Sequence, residues 1–251
     1  VINMMGNPFE PRRFDFDQVN VQFPRALGAA CLELGVERVL HFSALGASPS
    51  AESKWLKTKY LGEKALREEY PEATVLRPAT VVGPEDNFFN CLGELTKLMP
   101  VLPLIHGPNS RQQPVYCLDV AAAVQEILKR EDTIGQTIAL AGPTVYTNLE
   151  LYDHLFKSVR RPNSAVRLPR ALLDALGSAC SVLPKPTLTK DLIATHLSDL
   201  SAPAGMPGLR ELGIEPTPME EITDYYLKRF RPPASQTVDE VTKLPYSMPE
   251  K

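Results

Sequence analysis

Apolar and polar residues near the start of the chain follow the spacing of an amphipathic helix. The apolar positions recur at three- and four-residue steps, namely Phe16, Val19, Phe23, Leu27, Ala30 and Leu34. That spacing places them on one face of a helix, and the pattern stops at Gly35, where the helix is predicted to end. Residues 38–42, Arg-Val-Leu-His-Phe, predict a short strand directly after the helix.

The same alternation continues to residue 78. Ser48 and Pro49 predict the start of a second helix, because the hydroxyl can cap the helix and proline is tolerated in its first turn. This helix is predicted to run to about Tyr70, and residues 74–77 predict a further strand that ends at Pro78. Strands and helices in this order indicate parallel βαβ units with helices on both faces of a sheet.

The pattern is less regular after residue 83 and predicts a second unit. Residues 107–114 are expected to form a polar loop, residues 115–129 a strand that becomes a helix after Asp119, and residues 137–140 a strand. Further helices are predicted at 88–99, 148–160, 169–181, 187–196 and 218–230. We therefore expect an α/β domain at 1–145, a small C-terminal domain at 146–230 to which 84–113 contribute, and an irregular tail at 231–251.

The composition is that of a globular protein and argues against several functions. The chain has 251 residues, 43% of them hydrophobic, and a formal net charge of −3, which does not suggest nucleic acid as a partner. Its four cysteines lie far apart and no histidine stands at ligand spacing, so free thiols are expected and no metal site. No apolar run reaches the roughly 18 residues that a membrane span needs.

The start of the chain reads as a buried strand, Val1 to Gly6, that runs into a glycine turn. No G-x-G-x-x-G motif, which binds dinucleotide phosphates at a helix N-terminus, occurs in the sequence. We therefore expect the chain to be the back part of a longer sequence. The predicted fold class is α/β: a Rossmann-like, doubly wound parallel sheet without its N-terminal half, followed by a smaller, mostly helical domain.

Four residues could form a nicotinamide-dependent hydride-transfer site. In such a site a tyrosine exchanges a proton with the substrate, and a lysine four residues later lowers the pKa of the tyrosine and binds the nicotinamide ribose. A serine at a strand end orients the substrate carbonyl, and an asparagine on the preceding helix holds a proton-relaying water. The chain supplies Asn20, Ser43 and Lys59, but Trp55 stands in the position of the acid. An indole N–H donates without ionising usefully, so the pattern predicts a site that holds a dinucleotide and performs no catalysis.

Each of these residues also has an interpretation without function. Ser43 could simply end a strand, Lys59 could be a solvated helix charge, and Trp55 could pack in the core. Asn20 is unfavourable in the middle of a helix and could equally face water. Their joint occurrence at the expected offsets from the strand ends favours the site over these interpretations.

Several segments together resemble one protein family; they are residues 17–21, 35–47, 59–63, 76–84, 113–121 and 212–220. They are similar to the extended or atypical short-chain dehydrogenases/reductases, and within them to the nucleotide-binding accessory subunits of mitochondrial respiratory complex I. The spacing of Lys59 and Glu63 matches this family's lysine-to-glutamate spacing. That match places Trp55, and not Tyr60, in register with the family's catalytic tyrosine.

The resemblance implies a tightly bound NADPH without turnover, in a peripheral protein on the matrix side of the mitochondrial inner membrane. It implies that the protein stabilises the junction of the matrix and membrane arms, with other complex I subunits near the quinone site as partners. Gly6 is expected near the cofactor ribose, and the backbone after the strand at 74–77 near the nicotinamide carboxamide, as strand carboxyl ends also suggest. Arg77 is expected to form a structural ion pair. The predicted cofactor-binding residues are Gly6, Asn20, Ser43, Lys59, Pro78, Ala79 and Val81; no catalytic residue is predicted.

Two other functions fit the sequence. One is an active NAD(P)-dependent reductase or epimerase that uses Tyr60 and Lys64. It is disfavoured because Tyr60 lies about 140° around the helix from Trp55, so that it cannot face the site if Lys59 does. The other is a stand-alone regulator that senses NADP(H). Residues 171–183 are the most apolar stretch and are expected to form a core or partner-facing helix, with peripheral lipid contact as the alternative.

Overall fold

The computed structural model describes residues 1–10, 13–105, 107, 110–181, 186 and 188–233, so the expected tail lies outside the described residues from residue 234 onward. In these ranges the strands are β1 (Ile2–Asn3), β2 (Leu40–Phe42), β3 (Thr74–Pro78), β4 (Val81–Val82), β5 (Leu102–Leu104), β6 (Arg111–Gln112), β7 (Val115–Tyr116), β8 (Thr137–Leu140), β9 (Tyr146–Thr147), β10 (Ala165–Arg167) and β11 (Asp199–Leu200). The helices are α1 (Phe23–Glu33), α2 (Lys54–Glu69), α3 (Phe89–Leu98), α4 (Cys117–Lys129), α5 (Asn148–Ser158), α6 (Arg170–Cys180), α7 (Lys190–Leu197) and α8 (Met219–Tyr226). A π-helical turn, Gln18–Gln22, leads directly into α1.

The main sheet is parallel and covered by helices on both faces. Its four strands lie in the order β1-β2-β3-β8, and every neighbouring pair is parallel. Ile127 of α4 packs in a cluster with Leu40. Leu66 of α2 packs in a separate cluster with Val39, because successive side chains of a strand point to opposite faces. The predicted doubly wound α/β fold is confirmed.

A second hydrophobic core is built mainly by α3, α5 and α8 together with β5. Phe89, Leu102, Leu151 and Tyr226 belong to one buried cluster. Phe89 and Leu102 come from the segment 84–113, which was expected to contribute to the second domain. The domain boundaries at 145 and 230 stay a prediction.

The predicted start of α2 is wrong. The helix begins at Lys54, five residues beyond Pro49, and Ser53 is its N-cap. The reason is tertiary, since the Asp191 carboxylate on α7 accepts a hydrogen bond from the Lys54 N–H at 2.6 Å. The cap from Asp191, 137 residues away, leaves no local signal. The local signal is Ser53, whose hydroxyl accepts from Leu56 N at 3.3 Å, and it lies five residues after Ser48.

Two smaller expectations also need correction. Helix α4 begins at Cys117, ahead of Asp119, whose carboxylate accepts a hydrogen bond from the distant Thr217 N–H at 2.7 Å. The expected loop at 107–114 contains β6, which pairs with β9 and β11. The strand at 111–112 arises from partners that are remote in sequence.

Helix α6 covers most of the apolar stretch at 171–183. Its Leu173 is buried, whereas Leu172 and Leu176 remain 47% and 38% exposed, so the helix has both a core face and a surface face. No described helix is long and apolar enough to cross a membrane. The described residues also contain no group of three or more side chains that could hold a metal ion.

Candidate functional site

Lys59 lies in the middle of α2 and reaches the carboxyl ends of the main-sheet strands. It is only 4% exposed. Its Nζ donates to the carbonyl oxygens of Phe42 at 3.1 Å and Met5 at 3.4 Å. Burial lowers the pKa of the ammonium group to about 8, against the opposing effect of the Glu63 carboxylate. A poorly solvated cation therefore stands at the edge where open α/β sheets bind ligands.

Three further side chains of the predicted site are buried and carry unpaired polar atoms. Ser43 follows β2 and is buried, and its Oγ has no partner in the described part of the chain. Asn20 is buried in the π-helical turn, so the interpretation that it faces water is wrong. Its Nδ2 donates to Thr58 Oγ1 at 3.0 Å, while its Oδ1 has no described partner. The centre of the Trp55 ring lies 5.9 Å from Lys59 Nζ, and the indole N–H is also buried and unpaired among these residues.

Gly6 meets the same lysine from the other side. A Cβ added at this position would lie 2.8 Å from Lys59 Nζ, closer than side chains pack. A glycine therefore allows the backbone after β1 to approach the ammonium group. Asn3 on β1, which the sequence did not single out, has its Nδ2 2.9 Å from Nδ1 of His41. Burial, with smaller effects of Lys59 and Arg67, lowers the pKa of His41 to about 3, so this imidazole is neutral at pH 7.

The three predicted residues at the end of β3 and just after it differ in whether they line a pocket. Pro78 and Ala79 line a pocket of about 150 Å³ together with Trp55. The Ala79 N–H donates to the Leu140 carbonyl at 2.9 Å, and the Pro78 carbonyl accepts from Leu45 N at 2.9 Å, so these backbone groups are used within the sheet. Val81 does not line this pocket and is 38% exposed at the start of β4.

Helix α7 forms the opposite wall of this pocket, a feature that the sequence pattern did not predict. Leu192, Thr195 and His196 line the wall. The same helix provides Asp191, whose Oδ2 accepts a hydrogen bond from the backbone N–H of Trp55 at 3.1 Å. The position of Trp55 thus depends on a contact between distant parts of the chain.

Glu63, the next buried charged residue on α2 after Lys59, forms an ion pair with Arg77. Arg77 donates from Nε and Nη2 to both carboxylate oxygens of Glu63, at 2.9 and 2.6 Å. Two parallel bonds of this kind give a strong and specific pair. The expected structural ion pair of Arg77 is therefore confirmed.

Tyr60 and Lys64, the alternative tyrosine–lysine pair, do not form a buried catalytic site. Lys64 is exposed, whereas Lys59 is buried at the strand ends. The parallel sheet, with the buried lysine and a serine at its strand ends, defines a Rossmann-type α/β domain. In this domain an indole stands one helical turn before the lysine.

Comparisons with known proteins agree with this class. No protein-family model matches the chain. The chain is similar to NADH dehydrogenase (ubiquinone) 1 alpha subcomplex subunit 9, mitochondrial, of Mus musculus. The two are 37% identical over 233 residues, and the aligned region covers 92% of this chain and 62% of the mouse protein. The protein of the same name from Arabidopsis thaliana is 37% identical over 180 residues, or 71% of this chain and 45% of the plant protein. The crystal structure of the NADPH-dependent quinone oxidoreductase QOR2 of Escherichia coli, complexed with NADPH, superposes with a TM-score of 0.65 at 18% identity, over 81% of this chain and 70% of that chain.

By this similarity the chain is a homologue of the subunit 9 proteins. It spans 62% of the length of the mouse relative.

Proposed function

We propose that the chain is part of a non-catalytic accessory subunit of mitochondrial NADH:ubiquinone oxidoreductase, complex I, and holds NADPH as a structural group. The observation that carries the proposal is the Trp55 indole beside the buried Lys59 ammonium, with 5.9 Å between the ring centre and Nζ. Hydride transfer to a carbonyl needs a matched proton donor, and an indole does not supply that proton. The names of the mouse and Arabidopsis relatives support the assignment to complex I.

The side chains at the strand ends fit a nicotinamide dinucleotide. Lys59 donates to two carbonyl oxygens, which leaves its third N–H free to donate to a ribose hydroxyl. Ser43 Oγ and Asn20 Oδ1 are buried polar atoms without described partners, which destabilise the fold unless a ligand or water satisfies them. When bound, the nicotinamide would supply hydride chemistry. The residues of this chain would bind and orient it without providing the accompanying proton.

The subunit is proposed to lie peripherally on the matrix side of the inner membrane. There it contacts other matrix-arm subunits near the quinone site and stabilises the junction of the two arms. The word mitochondrial in the names of the relatives supports this location. The partly exposed Leu172 and Leu176 on α6 support a peripheral contact with lipid or a neighbouring subunit.

Placing a tyrosine at position 55 tests the proposal that the site lacks catalytic activity because it has no proton donor there. Trp55→Tyr is expected to introduce slow NADPH-dependent reduction of small carbonyl compounds, because it returns a titratable hydroxyl beside Lys59. Tyr60→Phe is the matched control and is expected to change nothing. Steady-state NADPH oxidation by the wild-type protein, lost in Tyr60→Phe, would instead establish the reductase that uses Tyr60 and Lys64.

The assembly half is tested on a native gel of solubilised mitochondria. We expect the protein to co-migrate with the intact respiratory complex. Recovery as a free monomer would favour the stand-alone NADP(H) sensor instead.

A further inference from the structure

A second pocket lies within the C-terminal core, beside the predicted cofactor site. It measures about 100 Å³, and its walls are mostly apolar, formed by Phe88, Leu92, Leu95, Pro103, Ile105 and Leu192 among others. An engineered apolar cavity of about 150 Å³ binds benzene, so this space suits a group no larger than one ring. Four polar side chains also line the pocket, namely Asn87, Asn148, Tyr152 and His196, and the Tyr152 hydroxyl donates to the Pro103 carbonyl at 3.0 Å.

Asn148 presents an acceptor that the described protein does not use. The residue is 2% exposed, and its Nδ2 donates to the carbonyls of Ile105 at 2.8 Å and His196 at 2.9 Å. Since carbonyl oxygens only accept, these two bonds fix the orientation of the amide. Its Oδ1 is therefore an acceptor, and it is buried without a described partner. A ligand that satisfies it must bring an O–H or N–H.

His196 adds a second unpaired atom and no charge. Its ring packs against Phe88 with 5.5 Å between the ring centres, and its Nδ1 is buried without a partner in the described ranges. Burial lowers the pKa of His196 to about 4, so the imidazole is neutral at pH 7. None of the described lining residues carries a charge at that pH. A charged ligand group would therefore be buried without a counter-charge, which is strongly unfavourable.

We infer that this pocket binds a neutral, ring-sized apolar group that carries a hydroxyl, which donates to Asn148 Oδ1. The apolar walls take the ring, and the hydroxyl oxygen can also accept from His196 when Nδ1 of the imidazole carries the proton. Gly6, Ser43 and Lys59 do not line this pocket, but its Leu192 and His196 also line the pocket beside Trp55, so the two spaces share one wall on α7.

Titration of the isotope-labelled protein with phenol and with toluene tests the inference by nuclear magnetic resonance. Toluene keeps the ring and replaces the hydroxyl with a methyl group. We expect phenol to change the chemical shifts of the backbone amides of Leu92, Ile105 and Leu192, and these changes should saturate as phenol is added. Toluene is expected to bind about tenfold more weakly, because it leaves the buried acceptor unpaired. No saturable binding, or equal binding of both probes, would overturn the inference and indicate that water satisfies the polar atoms.

A pair of variants on α3 localises the binding. Leu92→Trp fills the pocket and is expected to abolish phenol binding, whereas Leu98→Trp alters a side chain that is 77% exposed and should leave it unchanged. If Leu92→Trp does not fold, the phenol–toluene comparison on the wild-type protein still decides. The titration is repeated with NADPH, so that failure of nucleotide binding and failure of phenol binding are separate results.

Discussion

Two successive turns of α2 carry buried charges, of which one has a charged partner and the other does not. Lys59 and Glu63 are each 4% exposed and face the same side of the helix. Glu63 makes two hydrogen bonds to Arg77, whereas Lys59 donates to backbone carbonyls alone. Burial of a charge by itself therefore does not mark a functional site in this protein.

The surroundings of the two charges distinguish their roles. Both oxygens of Glu63 are bonded, as expected of a structural pair. Around Lys59, by contrast, Ser43 Oγ, Asn20 Oδ1 and Trp55 Nε1 have no partner in the residues that the structure describes. Unpaired polar atoms beside a cation with a lowered pKa are typical of a ligand site.

The largest expected effect is the loss of the structural pair. Glu63→Gln leaves the Arg77 guanidinium, 15% exposed, without its counter-charge and should lower the free energy of unfolding by about 3–5 kcal/mol. Urea denaturation measures the change. Glu68→Gln is the control, because it breaks an exposed pair with Arg25 that is worth at most about 1 kcal/mol. Equal losses in the two variants would show that the Glu63 pair is not structural.

The unpaired charge predicts a pH dependence. The pKa of Lys59 falls from its ordinary 10.5 to about 8 in the folded protein, so the unfolded chain binds more protons between these pH values. The free energy of unfolding should therefore rise with pH across this window, by on the order of 3 kcal/mol from this group. Lys59→Met should remove the rise and be more stable than the wild type below about pH 8.

Stability curves of the wild type and the variant, measured from pH 7 to the alkaline limit of folding, test this expectation. Lys57→Met, an exposed position on the same helix, should keep the wild-type slope. Parallel curves for the wild type and Lys59→Met would contradict the lowered pKa.

The position of Trp55 depends on the cap from α7. Asp191→Ala removes acceptors from Lys54 N and Trp55 N and should lower the free energy of unfolding by about 1–2 kcal/mol. Hydrogen exchange of these two amides should accelerate. Asp174→Ala breaks a surface pair with Arg170 and serves as the control. Unchanged exchange in Asp191→Ala would mean that the Ser53 side chain alone caps α2.

The smallest effect separates two buried serines. Ser43→Ala should not lower the free energy of unfolding of the ligand-free protein, because the buried hydroxyl that it removes has no described partner, but it should weaken NADPH binding. Ser53→Ala should lose about 1 kcal/mol, because that hydroxyl accepts from Leu56 N at 3.3 Å as the cap of α2. An equal loss at Ser43 would show that its hydroxyl has a structural role.

The amino-acid sequence by itself determined the α/β alternation and most of the candidate site. Apolar spacing is a local property, so the helix that ends before Gly35 and the strands around Leu40 and Leu76 follow from it. Parallel strands bring their carboxyl ends to one edge, which is why Ser43 after β2 and Ala79 after β3 could be expected at the same edge.

Only the tertiary structure decided how this site is bounded. Asp191 caps α2 from the far end of the chain, Asn3 meets His41 across two strands, and α7 places Leu192 opposite Trp55. Each contact joins residues that are distant in sequence and follow no common period. Whether a buried charge is paired depends on which distant side chain reaches it, and that is a property of the folded chain alone.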